Sequence, residues 1–260
     1  MEVHAHTHTP RRKWTHYFWE FLMLFLAVFC GFLAEYQLEH KIERDRELQF
    51  MQTMAEDLKS DTAQLSRLIK RRKNRIRELD TLFNLIESDE YLKSGRKIYG
   101  LYDLPYWDIL RFSPSDRTMQ QLKNGASMRL IRKKEVSNAL IGYDVFVRNY
   151  KEYEPLQSEL ASQLNLHIEK LIDPVIIENA KIKSDSEQLN SDTVINRNKL
   201  KWNFPDYIEI VKLADTDKKI ILKYISQVKS IYLATMRDNM GEKTMATRTL
   251  LLITNAYHLK

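Results

Sequence analysis

The residues best suited to chemistry lie within the first ten positions. His4, His6 and His8 alternate in the segment HAHTHT, a spacing that places their imidazoles on one side of an extended chain. Imidazole nitrogen binds Zn²⁺, Ni²⁺ and Cu²⁺, and short His-rich tracts are typical of metal binding. No carboxylate or Cys is interleaved with them, which favours adventitious binding instead. The sequence thus predicts either no cofactor or a divalent transition metal on this tail.

No familiar catalytic motif follows the tail. His40, His167 and His258 lie far apart, and the lone Cys30 excludes a disulfide framework. Because the chain has no phosphate-binding loop, nucleophile elbow, HExxH helix or paired-cysteine site, we predict neither catalytic nor cofactor-binding residues. The basic run 70–77 (KRRKNRIR) could bind a polyanion or an acidic partner, or could be a solvated helix face. A net charge of +6 does not by itself indicate nucleic acid as a partner.

An uncharged apolar run occupies residues 21–34 (FLMLFLAVFCGFLA). With its flanks, from position 17 to position 36, it reaches the roughly 20 residues that a membrane span requires. Aromatic residues at both ends fit the two membrane interfaces. Bulky Phe29 and Phe32 stand where a signal-peptidase site needs a small residue. We therefore predict an uncleaved transmembrane helix over residues 14–36, the alternative being a buried core helix.

Glu20 is an ionisable residue that directly precedes this apolar run. It lies one helical turn after His16, and Ala27, Gly31 and Ala34 recur at spacings that place them on one helix face. Small residues on such a face let membrane helices approach closely, and ionisable groups in a span are candidates for function. We expect helix packing through Ala27, Gly31 and Ala34. Glu20 is either a pairing or ion-coupled residue or is solvated among the lipid head groups.

The basic residues on either side of the run bear on its orientation. Arg11–Lys13 precede it, and Lys41, Arg44 and Arg46 follow it interleaved with acids. The counts of Lys and Arg are equal, but the first cluster is denser and closer to the run. We predict a single-pass protein of the bacterial inner membrane with a cytoplasmic N-terminus and a periplasmic C-terminal body.

The rest of the chain has the apolar spacing of long helices. With six Gly and six Pro in 260 residues, few positions interrupt helices. The prediction is an all-α protein in which the transmembrane helix continues into a long stalk helix. The stalk would pack with two further long helices in an elongated antiparallel bundle, as coiled-coil helices do. The predicted segments are a His-rich basic tail (1–13), the transmembrane helix (14–36), the stalk (37–92), an irregular connector with short helices (93–133) and a long-helix region (134–260) containing a polar loop near 181–201.

Finer expectations concern the ends and bends of these helices. Ser115 or Asp116 is expected to cap a short helix that ends at Gly125, and Asp215 or Thr216 to cap the last long helix. Pro155 is expected to kink the helix that begins near residue 134.

One stretch of the connector carries a resemblance. The segment 118–136 (TMQQLKNGASMRLIRKKEV), followed by Leu140 and Tyr143, resembles a recurring stretch in a family of uncharacterised Bacteroidetes proteins. Those proteins also begin with a single membrane span followed by a long charged helix. The resemblance implies localisation and helical architecture, and it implies no activity.

Two classes of function fit these features. The first is a membrane-anchored helical scaffold, sensor or assembly module without catalytic activity, whose partners are the lipid bilayer and either a second copy or other membrane proteins. The second is an enzyme or metal-handling membrane protein whose site forms only in the folded chain. A filled apolar core favours the first, and a cleft with converging His, Asp or Glu favours the second.

Overall fold

The computed structural model describes residues 14–106, 111–125, 127–150, 154–180 and 204–259. Over these residues the regular structure is helical, and the predicted all-α fold is confirmed. The helices are α1 (Trp14–Glu87), α2 (Gly95–Tyr106), α3 (Arg117–Asn124), α4 (Lys134–Tyr150), α5 (Glu154–Ile168), α6 (174–180) and α7 (Asp215–Tyr257). Short 3₁₀ turns lie at Glu90–Lys93, Ser127–Leu130 and Glu169–Leu171.

The long helices α1 and α7 form an antiparallel pair. At one end Tyr257 donates a hydrogen bond to Glu47 (2.5 Å), and at the other the Lys218 ammonium donates to the Glu87 carbonyl (2.8 Å). Forty residues of α1 separate these two contacts, which corresponds to about 60 Å of helix. The segment predicted as a stalk is therefore one column of the bundle over most of its length.

Helices α4 and α5 together form the third column, which runs in the same direction as α1. Tyr143 of α4 contacts Asp61, and further along Gln157 of α5 contacts Arg72. A single helix kinked at Pro155 was expected, but the structure has two helices, α4 ending at residue 150 and α5 beginning at 154. Pro155 is acceptable in the first turn of α5, since the N–H groups there have no intrahelical acceptor.

Polar side chains of α1 bind the backbone of the connector that lies beside it. Each of these side chains accepts a hydrogen bond from a backbone N–H of the connector. These N–H groups have no backbone acceptor within the short helix or turn to which they belong. The four pairs are Gln64 with Ser113 (2.7 Å), Asp61 with Ser115 (2.8 Å), Asp57 with Thr118 (3.2 Å) and Glu47 with Arg132 (2.8 Å). These hydrogen bonds hold the connector against α1 as the chain runs back from the end of α1 toward the start of α4.

Two predictions about helix ends are corrected in detail. Helix α3 does end before Gly125, and Asp116 is its N-cap residue, but the Asp116 side chain makes no capping bond. Asp57 of α1 takes that role. Helix α7 starts at Asp215 itself, with Ala214 at the N-cap, so that the acidic residues lie in the first turn and stabilise the positive end of the helix dipole.

The buried apolar side chains form two separate cores. The proximal core, nearer the apolar run, is built from residues 51–68 of α1, 112–147 of the connector and α4, and 246–253 of α7. The distal core is built from residues 76–98, 164–180 and 204–232. Four large apolar side chains of the long helices lie outside both cores and are exposed: Leu38, Ile42, Leu156 and Leu233.

Candidate functional site

The first candidate is the N-terminal part of α1, which no other described residue of the chain buries. From Trp14 to Leu38 nearly every large apolar side chain is exposed; Met23, for example, retains 71% of its accessible surface. Of the helices that the structure describes, this is the one long and apolar enough to cross a membrane. None of its apolar window is buried by the described residues, whereas the alternative of a core helix requires a mostly buried surface.

The polar and small residues singled out in this segment all lie on the exposed part of α1. His16 Nε2 lies 3.1 Å from a Glu20 carboxylate oxygen of the same chain, and both side chains are about half exposed. Ala27, Gly31 and Ala34 are exposed as well, and a Cβ placed on Gly31 would meet no atom within 4 Å. None of the described residues covers the face that these small residues form.

The predicted metal ligands His4, His6 and His8 lie outside the described residues. In the part of the chain that the structure does describe, no three His, Cys, Asp or Glu side chains converge as a metal site would require. The metal hypothesis therefore concerns the tail alone.

The second candidate is a layer of buried polar side chains around Arg72, which has no exposed surface. Its guanidinium donates hydrogen bonds to Asn239 Oδ1 (3.0 Å), Gln157 Oε1 (3.2 Å) and Thr235 Oγ1 (2.7 Å). The carbon at the centre of the guanidinium also lies 5.7 Å from the centroid of the Tyr232 ring, within the range of a cation–π contact. One α1 side chain thus contacts both other columns.

Glu242 extends this layer along α7. It is fully buried, and Asn239 Nδ2 donates to one of its carboxylate oxygens (2.9 Å). Burial raises the pKa of Glu242 to about 7, and the Asp238 and Asp61 carboxylates add to the shift, while the Asn239 hydrogen bond and the Arg72 charge oppose it. The carboxyl group therefore holds a proton to a higher pH than an exposed Glu does.

A second buried pair adjoins the layer between α1 and α4. Tyr143 donates a hydrogen bond to Asp61 (2.7 Å), and burial is the main reason why the pKa of each group is raised. The phenol thus stays protonated, while Asp61 can also accept from the Ser115 N–H (2.8 Å). Together the two residues hold the start of α3 and the middle of α4 against α1.

The polar layer separates the proximal core from the distal core. On α1, Arg72 stands between Leu68 and Ile76, and on α7 the polar residues stand between Tyr232 and Ala246. Polar groups in a buried layer must all find partners, so a shift of one helix by a turn would leave them unpaired. The arrangement favours one register of the three columns. Two atoms in the layer, Gln157 Nε2 and Glu242 Oε1, lack a hydrogen-bond partner in the described structure.

This layer was not predicted, although the sequence carries a signal for it. Arg72 was taken as part of the basic run 70–77, yet it stands four residues after Leu68 and four before Ile76, in the middle of the apolar stripe. The same spacing marks Thr235, Asn239 and Glu242 on α7. The rest of the run fits a solvated face, because residues 70, 71, 73 and 77 are exposed.

Comparisons with known proteins identify no relative. No family model, no curated protein and no solved structure matches the chain. The two candidate features, the exposed apolar segment and the buried polar layer, are therefore interpreted from their own geometry.

Proposed function

We propose that the chain is a membrane-anchored helical module that scaffolds, senses or assembles and does not catalyse a reaction. The single observation that carries this proposal is that α1 runs without interruption from an exposed apolar segment into a packed bundle. An apolar surface of this size is unfavourable in water and favourable in a bilayer. The bundle behind it is filled by two apolar cores and a polar layer whose side chains bind one another.

The proposed partners follow from the same features. The bilayer covers the apolar segment, and a second copy or another membrane protein covers the face of Ala27, Gly31 and Ala34. We place the segment in the bacterial inner membrane with Arg11–Lys13 on the cytoplasmic side, because that cluster is compact and adjoins the apolar run. The bundle is then periplasmic, away from nucleic acid.

Alkaline extraction of membranes tests this proposal. If the segment of residues 14–36 spans the bilayer and is not cleaved, the protein should remain in the pellet after carbonate washing and keep an N-terminus at Met1 or Glu2. A reporter fused after Lys260, active only in the periplasm, should be active in the same cells. Release of the protein by carbonate, or a mature N-terminus beyond residue 30, contradicts the anchor. A reporter active only in the cytoplasm reverses the orientation.

A metal-handling function is the alternative, and the alternation of His4, His6 and His8 is the observation that favours it. Titration of the purified chain with Zn²⁺ or Ni²⁺ by calorimetry separates the two proposals. Binding at submicromolar concentration that is abolished by changing the three His to Ala supports a metal site. Weak binding that survives the change assigns the tail no metal role.

A further inference from the structure

A groove of about 500 Å³ lies where the apolar segment meets the bundle. One wall is the stretch of α1 from Glu35 to Arg46, and the other is formed by Gly125, Ser127, Arg129 and Leu130. Leu38 and Glu39 follow Ala34, the last residue of the uncharged run, by four and five residues, or about 6 to 8 Å along the helix. The head-group layer on each side of a bilayer is roughly 5 to 8 Å thick. Under the proposed membrane anchoring, the groove opens into that layer.

Charges of both signs line this groove. Glu35 and Glu39 lie on the α1 wall, with Arg46 further from the apolar run and Arg129 on the opposite wall. None of these four side chains makes an ion pair within the described structure. Glu43, which also lines the groove, differs because its carboxylate lies 3.6 Å from the Arg132 guanidinium. The four remaining groups are available to a ligand that itself carries both charges.

The uncharged part of the lining is apolar. Leu38 and Ile42 expose 59% and 41% of their surfaces, although they stand at positions that a water-soluble bundle would bury, and Leu130 faces them from the turn. An apolar strip beside charges of both signs matches a phospholipid, whose glycerol and first acyl carbons adjoin its head group. Contact with the lipid would remove this strip from water.

The lining also distinguishes between head groups. A guanidinium binds phosphate through two parallel hydrogen bonds, and a carboxylate accepts hydrogen bonds from a primary ammonium. A quaternary ammonium has no N–H to donate and is recognised by aromatic rings, and no ring stands among the described residues that line the groove. An anionic head group without an amine would place its charge beside Glu35 and Glu39.

We propose that this groove binds the head group of a zwitterionic phospholipid with a primary amine, with Arg129 on the phosphate and Glu39 on the ammonium. Glu35 adds a second carboxylate for the ammonium, and Leu38 contacts the glycerol region. This inference rests on the proposed membrane anchoring and names the lipid that the bundle selects at the membrane surface.

Native mass spectrometry of the full chain in detergent tests the inference. An equimolar mixture of phosphatidylethanolamine, phosphatidylcholine and phosphatidylglycerol with the same acyl chains is added, and the lipid retained on the protein is measured. The parent should retain phosphatidylethanolamine in preference to the other two. Glu39→Gln should remove the preference over phosphatidylcholine. Arg129→Gln should lower retention of every phospholipid by about three- to tenfold, as expected for one partly solvated charged contact.

Two exposed charges on α1 outside the groove supply matched controls. Glu56→Gln and Lys73→Gln should retain lipids as the parent does. Equal retention of the three lipids by the parent, or unchanged retention in both groove variants, overturns the inference. Carbonate extraction distinguishes this result from failure of the membrane proposal: a chain that resists extraction but shows no lipid preference is anchored without a head-group site.

Discussion

Arg72 carries a positive charge into the middle of the bundle. Removing a guanidinium from water costs several kcal/mol, and attraction and hydrogen bonds inside the protein offset that cost only when the geometry is good. Here Gln157, Thr235 and Asn239 supply acceptors from two other helices, at 2.7 to 3.2 Å. Loss of Arg72 would remove the donor from the buried Asn239 Oδ1 and Gln157 Oε1, while Thr235 would keep its hydrogen bond to the Ile231 carbonyl (2.8 Å).

Replacing Arg72 with Met should therefore lower the free energy of unfolding by about 3 kcal/mol, a typical cost of breaking a buried charged network. Chemical denaturation in a mild detergent, followed by circular dichroism at 222 nm, measures the change. Lys73→Met is the matched control, because Lys73 is exposed on the same turn and should shift stability by no more than about 0.5 kcal/mol. Equal effects of the two substitutions would mean that the layer contributes little to stability.

Glu242 makes stability depend on pH. Its pKa is about 7 in the folded chain and 4.5 in the unfolded chain, so the folded state binds protons more tightly. This contribution is fully present below about pH 4.5 and declines as the pH rises to about 7. The difference of about 2.5 pKa units corresponds to a loss on the order of 3 kcal/mol.

Glu242→Gln should remove that dependence, because Gln resembles the protonated carboxyl at every pH. The measurement compares unfolding of the parent and the variant at pH 5 and pH 8 in the same detergent. The variant should gain stability relative to the parent at pH 8 and differ little from it at pH 5. A difference that does not change with pH would show that the buried carboxyl does not titrate in this range.

At the scale of elements, close backbone approaches fix where the helices meet. A Cβ on Gly95, the first residue of α2, would lie 2.1 Å from the Ile208 carbonyl oxygen, whereas a Cβ on Gly100 in the same helix would meet nothing within 4 Å. Gly241 of α7 is intermediate, since a Cβ there would lie 3.1 Å from Phe146 of α4. The end of α2 thus packs directly on the backbone that leads into α7.

Alanine at these two glycines should have opposite effects. Gly95→Ala forces the backbone near Ile208 to move and should destabilise the protein by about 1 to 3 kcal/mol, as overpacking does. Gly100→Ala should stabilise it by up to about 1 kcal/mol, because alanine favours the helix and restricts the unfolded chain. Thermal or chemical unfolding of the two variants measures both effects. Similar changes in both would contradict the close approach at residue 95.

The helices could be predicted from the sequence more readily than the breaks and side-chain contacts that connect them. Apolar spacing indicated α1, α4, α5 and α7, because one buried stripe repeats with the helical period. The break between α4 and α5 could be only partly inferred, since Pro155 is compatible with a kink or with a new helix. The pairing of Asp57 with the start of α3 depends on two segments 61 residues apart, and no local pattern encodes such a contact. Arg72 was missed because the charges around it made the whole run resemble a solvated face.

At the scale of the whole molecule, the buried polar side chains around Arg72 bond to one another within the bundle, while none of the described residues covers the small residues of the apolar segment. In a bilayer the apolar side chains gain little from packing on one another, and close contact through small residues drives helix association instead. We therefore expect self-association through the face of Ala27, Gly31 and Ala34.

Gly31→Leu should weaken an oligomer captured by crosslinking in detergent, because the larger side chain keeps the two backbones apart. Leu33→Ala is the control, since Leu33 lies about 200° around the helix from Gly31. Retention of the parent oligomer by both variants would show that the segment serves only as an anchor. Loss of the oligomer in the Leu33 variant alone would place the contact on the opposite face.

The antiparallel pairing of α1 with α7 also governs the order in which the protein can fold during synthesis. Glu47 and Tyr257, which meet at one end of the pair, are 210 residues apart, and Arg72 and Asn239 are 167 residues apart. The ribosome adds residues at about 5 to 20 per second. Synthesis of α7 therefore follows that of α1 by on the order of ten seconds or more, and the apolar stripe of α1 lacks this partner during that time. During that time we expect chaperones or the membrane surface to cover the stripe of the incomplete chain. Contacts between residues this distant in sequence also form slowly once synthesis is complete.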